Sequence, residues 1–174
     1  MMGRFFLLIS LVFVGFFWSA PVQAAGKFAY VDVPRVMDSS QAGNRARDFL
    51  NKKLSVKQNE VSSMEADINK MKDDLEKRKS VMTAEARSEL AGKIRRKYRE
   101  FQRLVEDNQA SVDRENRHWT TKLTKALREV IEEVGREQKF TAIFSKGQIL
   151  FVDPGIDITD MVLNQLNAKT KDWF

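Results

Sequence analysis

The chain has 174 residues and a formal net charge of +6, which allows one compact domain or a small domain with an extension and favours anionic partners. It contains no cysteine and one histidine, His118, so a disulfide framework and a thiolate zinc site are excluded.

Residues 1–24 read as a cleaved secretory leader. Arg4 is its positive start, Phe5 to Trp18 its apolar stretch, and Val22-Gln23-Ala24 its small-residue cleavage site. The apolar stretch is shorter than the roughly 20 residues a membrane span needs. Loss of Arg4 with the leader leaves a net charge of +5.

Phe28 to Val33, rich in aromatic and β-branched residues, reads as a strand, and Pro34 suits the first turn of a helix. Asp38-Ser39-Ser40 marks a loop or helix start, and Gly43 weakens the turn that follows.

Ala42 to Val134 contains no proline and reads as two helices running out and back. Along the outgoing arm, Ala42 to Lys79, the stripe is Leu50, Leu54, Lys57, Val61, Met64, Ile68, Met71, Leu75, Arg78 and Met82. Its steps alternate between four and three, the 3.5-residue period of a coiled-coil seam, with Lys57 and Arg78 as charged members. The turn is predicted over Ser80 to Ala84, with Thr83 as N-cap of the return helix and Glu85 in its first turn. The return arm reaches about Arg136 through Leu90, Ile94, Tyr98, Phe101, Val105, Val112, Trp119, Leu123, Leu127, Val130 and Val134. Polar Asn108 and Glu115 lie on the same line. This spacing drifts towards 3.6, so a tight left-handed supercoil is not expected throughout. The return helix is the longer one, and its last third is placed against the strands.

Phe140 to Phe144 reads as a second strand, Lys146-Gly147-Gln148 as a tight turn, and Ile149 to Val152 as a third strand completing a β-hairpin. Asp153-Pro154-Gly155 ends it. Thr159-Asp160 opens a last helix whose apolar face is Met161, Val162, Leu163 and Leu166. The tail is too polar to assign and ends in Trp173-Phe174.

The fold class is therefore α+β: a long antiparallel helical hairpin inserted into a small β body. The arm covers residues 42–118, and the body is built from residues 25–41 and 119–174. So small a sheet without disulfides is marginal alone, which predicts self-association through the strands. Phe28, Tyr30, Val31, Phe144, Leu150 and Phe151 are the expected interface.

Charge concentrates at the far end of the arm. Between Lys77 and Arg103, Lys77, Arg78, Lys79, Arg87, Lys93, Arg95, Arg96, Lys97, Arg99 and Arg103 are opposed only by Glu85, Glu89 and Glu100. Part of this is a solvated helix face with i,i+4 pairs. The remainder predicts attraction for anionic lipid, lipopolysaccharide phosphates or acidic polypeptides, and no specific nucleic acid, because no stacking platform accompanies it. Tyr98 and Phe101 are expected to face the partner helix. Met64, Met71, Val81 and Met82 on the same distal arm are flexible apolar groups suited to many shapes.

The segments Phe28-Ala29-Tyr30-Val31-Asp32-Val33-Pro34-Arg35-Val36 and Ile149 through Asp160 resemble the Skp/OmpH family of periplasmic outer-membrane-protein chaperones. The likeness runs through leader, early strand, long charged helical hairpin, late β-hairpin and closing helix. It implies a homotrimer with a central barrel of strands, three arms around a cavity, and unfolded outer-membrane proteins held there without ATP. The chain carries no nucleotide loop, in keeping with this. The resemblance implies the periplasm and no cofactor; the charge and side-chain chemistry of the distal arm make Met64, Met71, Met82 and the cationic tip the candidate client contacts. The aromatic ending departs from the family and leaves the tail's role open.

Two other readings are a purely structural coiled coil with a dry seam and an envelope adaptor that binds anionic lipid. An enzyme is not expected. His118 sits mid-helix beside Trp119, and Asp32, Asp153, Asp157 and Asp160 fit caps and turns better than a metal site.

Overall fold

A computed structural model describes residues 26–173; the leader predicted over residues 1–24 and the terminal Phe174 lie outside the described residues. Strand β1 (Phe28–Val31) is followed by helix α1 (Val33–Ser39), the long helices α2 (Gln41–Arg78) and α3 (Ala84–Glu137), strand β2 (Ala142–Ser145) and helix α4 (Thr159–Lys169). The strands pair in parallel, Phe28 opposite Ala142 and Val31 opposite Ser145. Parallel pairing needs a long crossover, and here the crossover is the entire arm.

Local chemistry sets the element ends. Asp32 Oδ1 accepts from the Arg35 N–H (3.1 Å) to cap α1, and Pro34 occupies its first turn. Ser40 Oγ accepts from the Gly43 N–H (3.0 Å) to cap α2. Gly43 is required there, because a Cβ would be driven into the Met37 carbonyl oxygen of α1. The arm turns over residues 79–83 without glycine or proline. The Val81 and Met82 N–H groups both donate to the Arg78 carbonyl (3.0 and 3.1 Å), and Thr83 Oγ1 caps α3 by accepting from Ala86 N–H (3.2 Å).

The core lies at the base. Leu123, Ala126, Leu127, Val130 and Val134, from the last third of α3, pack against Ala29 and Val31 of β1, Val36 of α1, Ala42 of α2, and Ile158, Val162 and Leu166 beside and within α4. Burying each larger aliphatic side chain contributes about 1.5–3 kcal/mol.

The expected third strand does not form. Residues 146–148 and 154–156 make single 3-10 turns, and Ile149 to Val152 is irregular, with a bend at Leu150 and no ladder partner among the described residues. A two-residue hairpin needs positive φ in its turn, and no described glycine has one. The Ile149 N–H closes on the Lys146 carbonyl instead (3.2 Å), and the chain leaves the sheet. It returns on the other side of β1, where Tyr30 bridges Asp157 and the Ile158 N–H donates to the Tyr30 carbonyl (3.1 Å).

Candidate functional site

Two surfaces stand out, the arm and the strand end of the base. Helix α2 alone is about 57 Å long at 1.5 Å per residue, yet its seam with α3 is thinly closed. Ile68 and Ile94 are the large aliphatic residues buried along the distal arm. Val61, Met64, Met71, Leu75, Met82, Leu90, Phe101 and Val112 are half-buried. Leu54, Tyr98 and Val105 remain 40–46% exposed, and Val81 at the turn is 82% exposed.

Tyr98 lies towards α2, as expected, but leaves nearly half of its surface in solvent. Its ring stacks on Phe101 (6.1 Å between centroids), with Lys72 Nζ of α2 5.8 Å from its centre. Midway along the arm an open groove of about 330 Å³ lies between the helices, lined by Leu54, Lys57, Val61, Val105, Asn108 and Val112 among others.

Polar groups hold the arm in register beside that opening. Buried Asn108 donates through Nδ2 to the Lys57 carbonyl (3.3 Å). Lys53 Nζ pairs with Glu115 Oε1 across the helices (2.7 Å). That hydrogen bond, chiefly, holds the Glu115 carboxyl below its ordinary range. Asn108 and Glu115 were visible in the sequence as polar members of an apolar stripe, but their partners on the other helix were not.

At the tip, Arg78 pairs with Asp74 (3.1 Å), Lys79 with Glu76, and Lys93 with Glu89 (2.9 Å). Among the described residues, Lys77, Arg87, Arg95, Arg96, Lys97, Arg99 and Arg103 form no ion pair. Arg95, Arg99 and Arg103 stand at i,i+4 spacing as an exposed ridge along α3.

At the base, Phe28 and Phe144 lie side by side on β1 and β2 (6.3 Å between centroids) and are each nearly half exposed. Leu150 and Phe151 project fully into solvent. Tyr30 and Val31, expected at the same interface, are instead buried within the chain. Side chains alternate along a strand, but β1 has both faces covered beyond Phe28. The large apolar side chains left exposed at this end are Phe28, Phe144, Leu150, Phe151 and Ile156.

The four aspartates near the strand ends act separately. Asp32 caps α1 and also accepts from Lys146 Nζ (3.1 Å). The Arg35 N–H first, and Lys146 second, hold its carboxyl below the usual value. Asp153 accepts from the Gly155 N–H (2.7 Å), Asp157 from the Thr159 N–H (2.8 Å), and Asp160 pairs with Arg35 (2.7 Å). No cluster of His, Cys, Asp or Glu able to hold a metal occurs among the described residues. His118 is exposed, its ring edge-on to Trp119 (5.3 Å).

Residues 27–166 match the family model described as outer membrane protein (OmpH-like). The chain is 23% identical over 148 residues to the chaperone protein Skp of Yersinia enterocolitica, covering 85% of this chain and 90% of that one. It is 24% identical over 166 residues to an uncharacterized protein of Aquifex aeolicus, covering 95% and 97% of the two chains. Its fold is similar to the crystal structure of a putative OmpH-like outer membrane chaperone from Caulobacter crescentus, with a TM-score of 0.78 at 20% identity over 88% of this chain and 91% of that one.

Proposed function

Since the chain belongs to the OmpH-like family, we propose that it is a periplasmic, ATP-independent holdase that shelters unfolded outer-membrane β-barrel proteins between arms projecting from an oligomeric base. The observation that carries this is the arm's open seam. Leu54, Tyr98, Val105 and Val81 keep apolar surface in solvent along a helical pair held by side chains as sparse as Ile68, Ile94 and Asn108. A purely structural coiled coil would close that surface.

Residues 42–118 form the arm, and residues 25–41 with 119–174 form the base. Three copies assemble through Phe28, Phe144, Leu150 and Phe151, whose apolar side chains otherwise stand exposed to water. Charge at Lys77, Arg78, Lys79, Arg87, Lys93, Arg95, Arg96 and Lys97 steers the encounter, and half-buried Met64, Met71 and Met82 contribute adaptable apolar contact. Many weak contacts in a confined space raise the overall affinity. The chemistry is binding, not catalysis.

The unpaired cations at the tip favour a second reading, an adaptor for anionic lipid or lipopolysaccharide. One experiment separates the two. A β-barrel membrane protein is diluted from urea with and without the purified protein, and light scattering is followed in the absence of nucleotide. Suppression at near-stoichiometric amounts supports the holdase; scattering that rises equally fast in both samples refutes it.

A further inference from the structure

The last turn of α4 and the chain end sit where both arm helices leave the base. On the α2 side, the Gln41 N–H donates to Asn167 Oδ1 (2.8 Å) and Arg45 Nη1 donates to the Lys171 carbonyl (3.3 Å). On the α3 side, Lys169 Nζ bridges Glu129 (3.1 Å) and Glu133 (2.6 Å). Further out along α3, Lys122 Nζ lies 4.2 Å from the centre of the Trp173 ring and 4.9 Å from Trp119. Trp119 in turn meets Phe49 of α2 edge-on at 6.2 Å. A cation near two indoles is attracted to both ring faces. Phe49, Trp119, Lys122 and Trp173 thus form a continuous run of contacts from α2, across α3, to the chain end. Trp173 is half-buried against the core and its backbone N–H donates to the Thr170 carbonyl (3.2 Å).

We infer that this C-terminal segment is a fastener that sets the angle at which the arm leaves the base, with Lys122 and Trp173 its decisive pair. Leverage makes the angle matter. With an arm about 57 Å long, a tilt of about 10° at the root moves the tip by roughly 10 Å. The root angle therefore fixes the room beside the arm, and so the size of polypeptide admitted. This last step rests on the holdase reading; the angle itself does not.

The absence of cysteine permits a direct test. Ser80→Cys at the turn and Asn164→Cys on the exposed side of α4 carry a pair of spin labels. Labelled chains are assembled with an excess of unlabelled ones, so that only distances within a chain are read. The parent gives one narrow distance. Trp173→Ala and Lys122→Met shift or broaden it, and Trp173→Phe, which keeps a ring for the ammonium, restores it. Lys122→Met preserves the packed stem and decides the matter where Trp173→Ala lowers the melting temperature. A distribution unchanged in both variants, or already broad in the parent, overturns the inference. Aggregation of a small and a large client is measured separately. A parent that protects neither refutes the holdase reading and leaves the distance result standing.

Discussion

Asn108→Leu should close the seam at mid-arm. Asn108 is 8% exposed, its hydrogen bond to the Lys57 carbonyl is long at 3.3 Å, and it borders the 330 Å³ opening between Leu54, Val61, Val105 and Val112. Losing the amide costs about 1 kcal/mol or less, because Lys57 lies inside α2 and its carbonyl keeps its intrahelical partner. A leucine reaching into the opening gains about 1.5–2 kcal/mol, below full burial because the site is open on one side. Better helix propensity adds a few tenths. The net is about 1 kcal/mol in favour of the closed arm, or roughly fivefold slower amide exchange over residues 100–112. Hydrogen exchange measures this directly. Faster exchange in the variant would refute the reasoning, since Asn108 would then be a register lock that packing cannot replace. With the seam closed, aggregation of a diluted β-barrel protein should be suppressed less well.

Gly43→Ala should destabilise by about 1–3 kcal/mol because a Cβ meets the Met37 carbonyl, whereas Gly92→Ala, whose Cβ would meet only arginine side-chain ends, should stabilise by up to about 1 kcal/mol; paired urea melts check both. Asp32 has a folded pKa below its ordinary 3.8, so its contribution is present above that value and is lost as pH falls through the lowered one; Asp32→Asn should flatten the acid-side fall of the melting temperature, and an unchanged fall would remove this role. Leu150→Ser with Phe151→Ser should weaken self-association without loosening the core, since both side chains lie outside it; sedimentation that matches the parent counts against the proposed interface. Replacing Lys77, Arg87, Arg95, Arg96 and Lys97 by glutamine should slow client capture and reduce its salt dependence, read by stopped flow at two ionic strengths.

Much of the arm was legible in the residues. The four-and-three stepping from Leu50 to Met82 and the Thr83 cap placed both helices within a residue or so at each end, and the Leu123–Val134 cluster lies against β1 as its position beyond the hairpin implied. The candidate site was legible only in composition. That cations crowd residues 77–103 could be read directly; which of them are neutralised by Asp74, Glu76 and Glu89 depends on rotamers. The Ile149–Val152 strand failed because an apolar β-branched run reports burial or pairing somewhere, without saying with which partner or in which chain.

Elements whose signal lies within a few turns of backbone, such as the helix period and the Thr83 cap, were written in the sequence itself; the parallel pairing of β1 with β2 was not. Tertiary structure decided what depends on contacts between distant residues: the Tyr30 bridge to Asp157, the Asn108 bond across the arm, the opening beside it, and Lys122 held between Trp119 and Trp173. The physical reason is that periodicity fixes which face of a helix is apolar, while the distance between two such faces is set by every side chain packed between them.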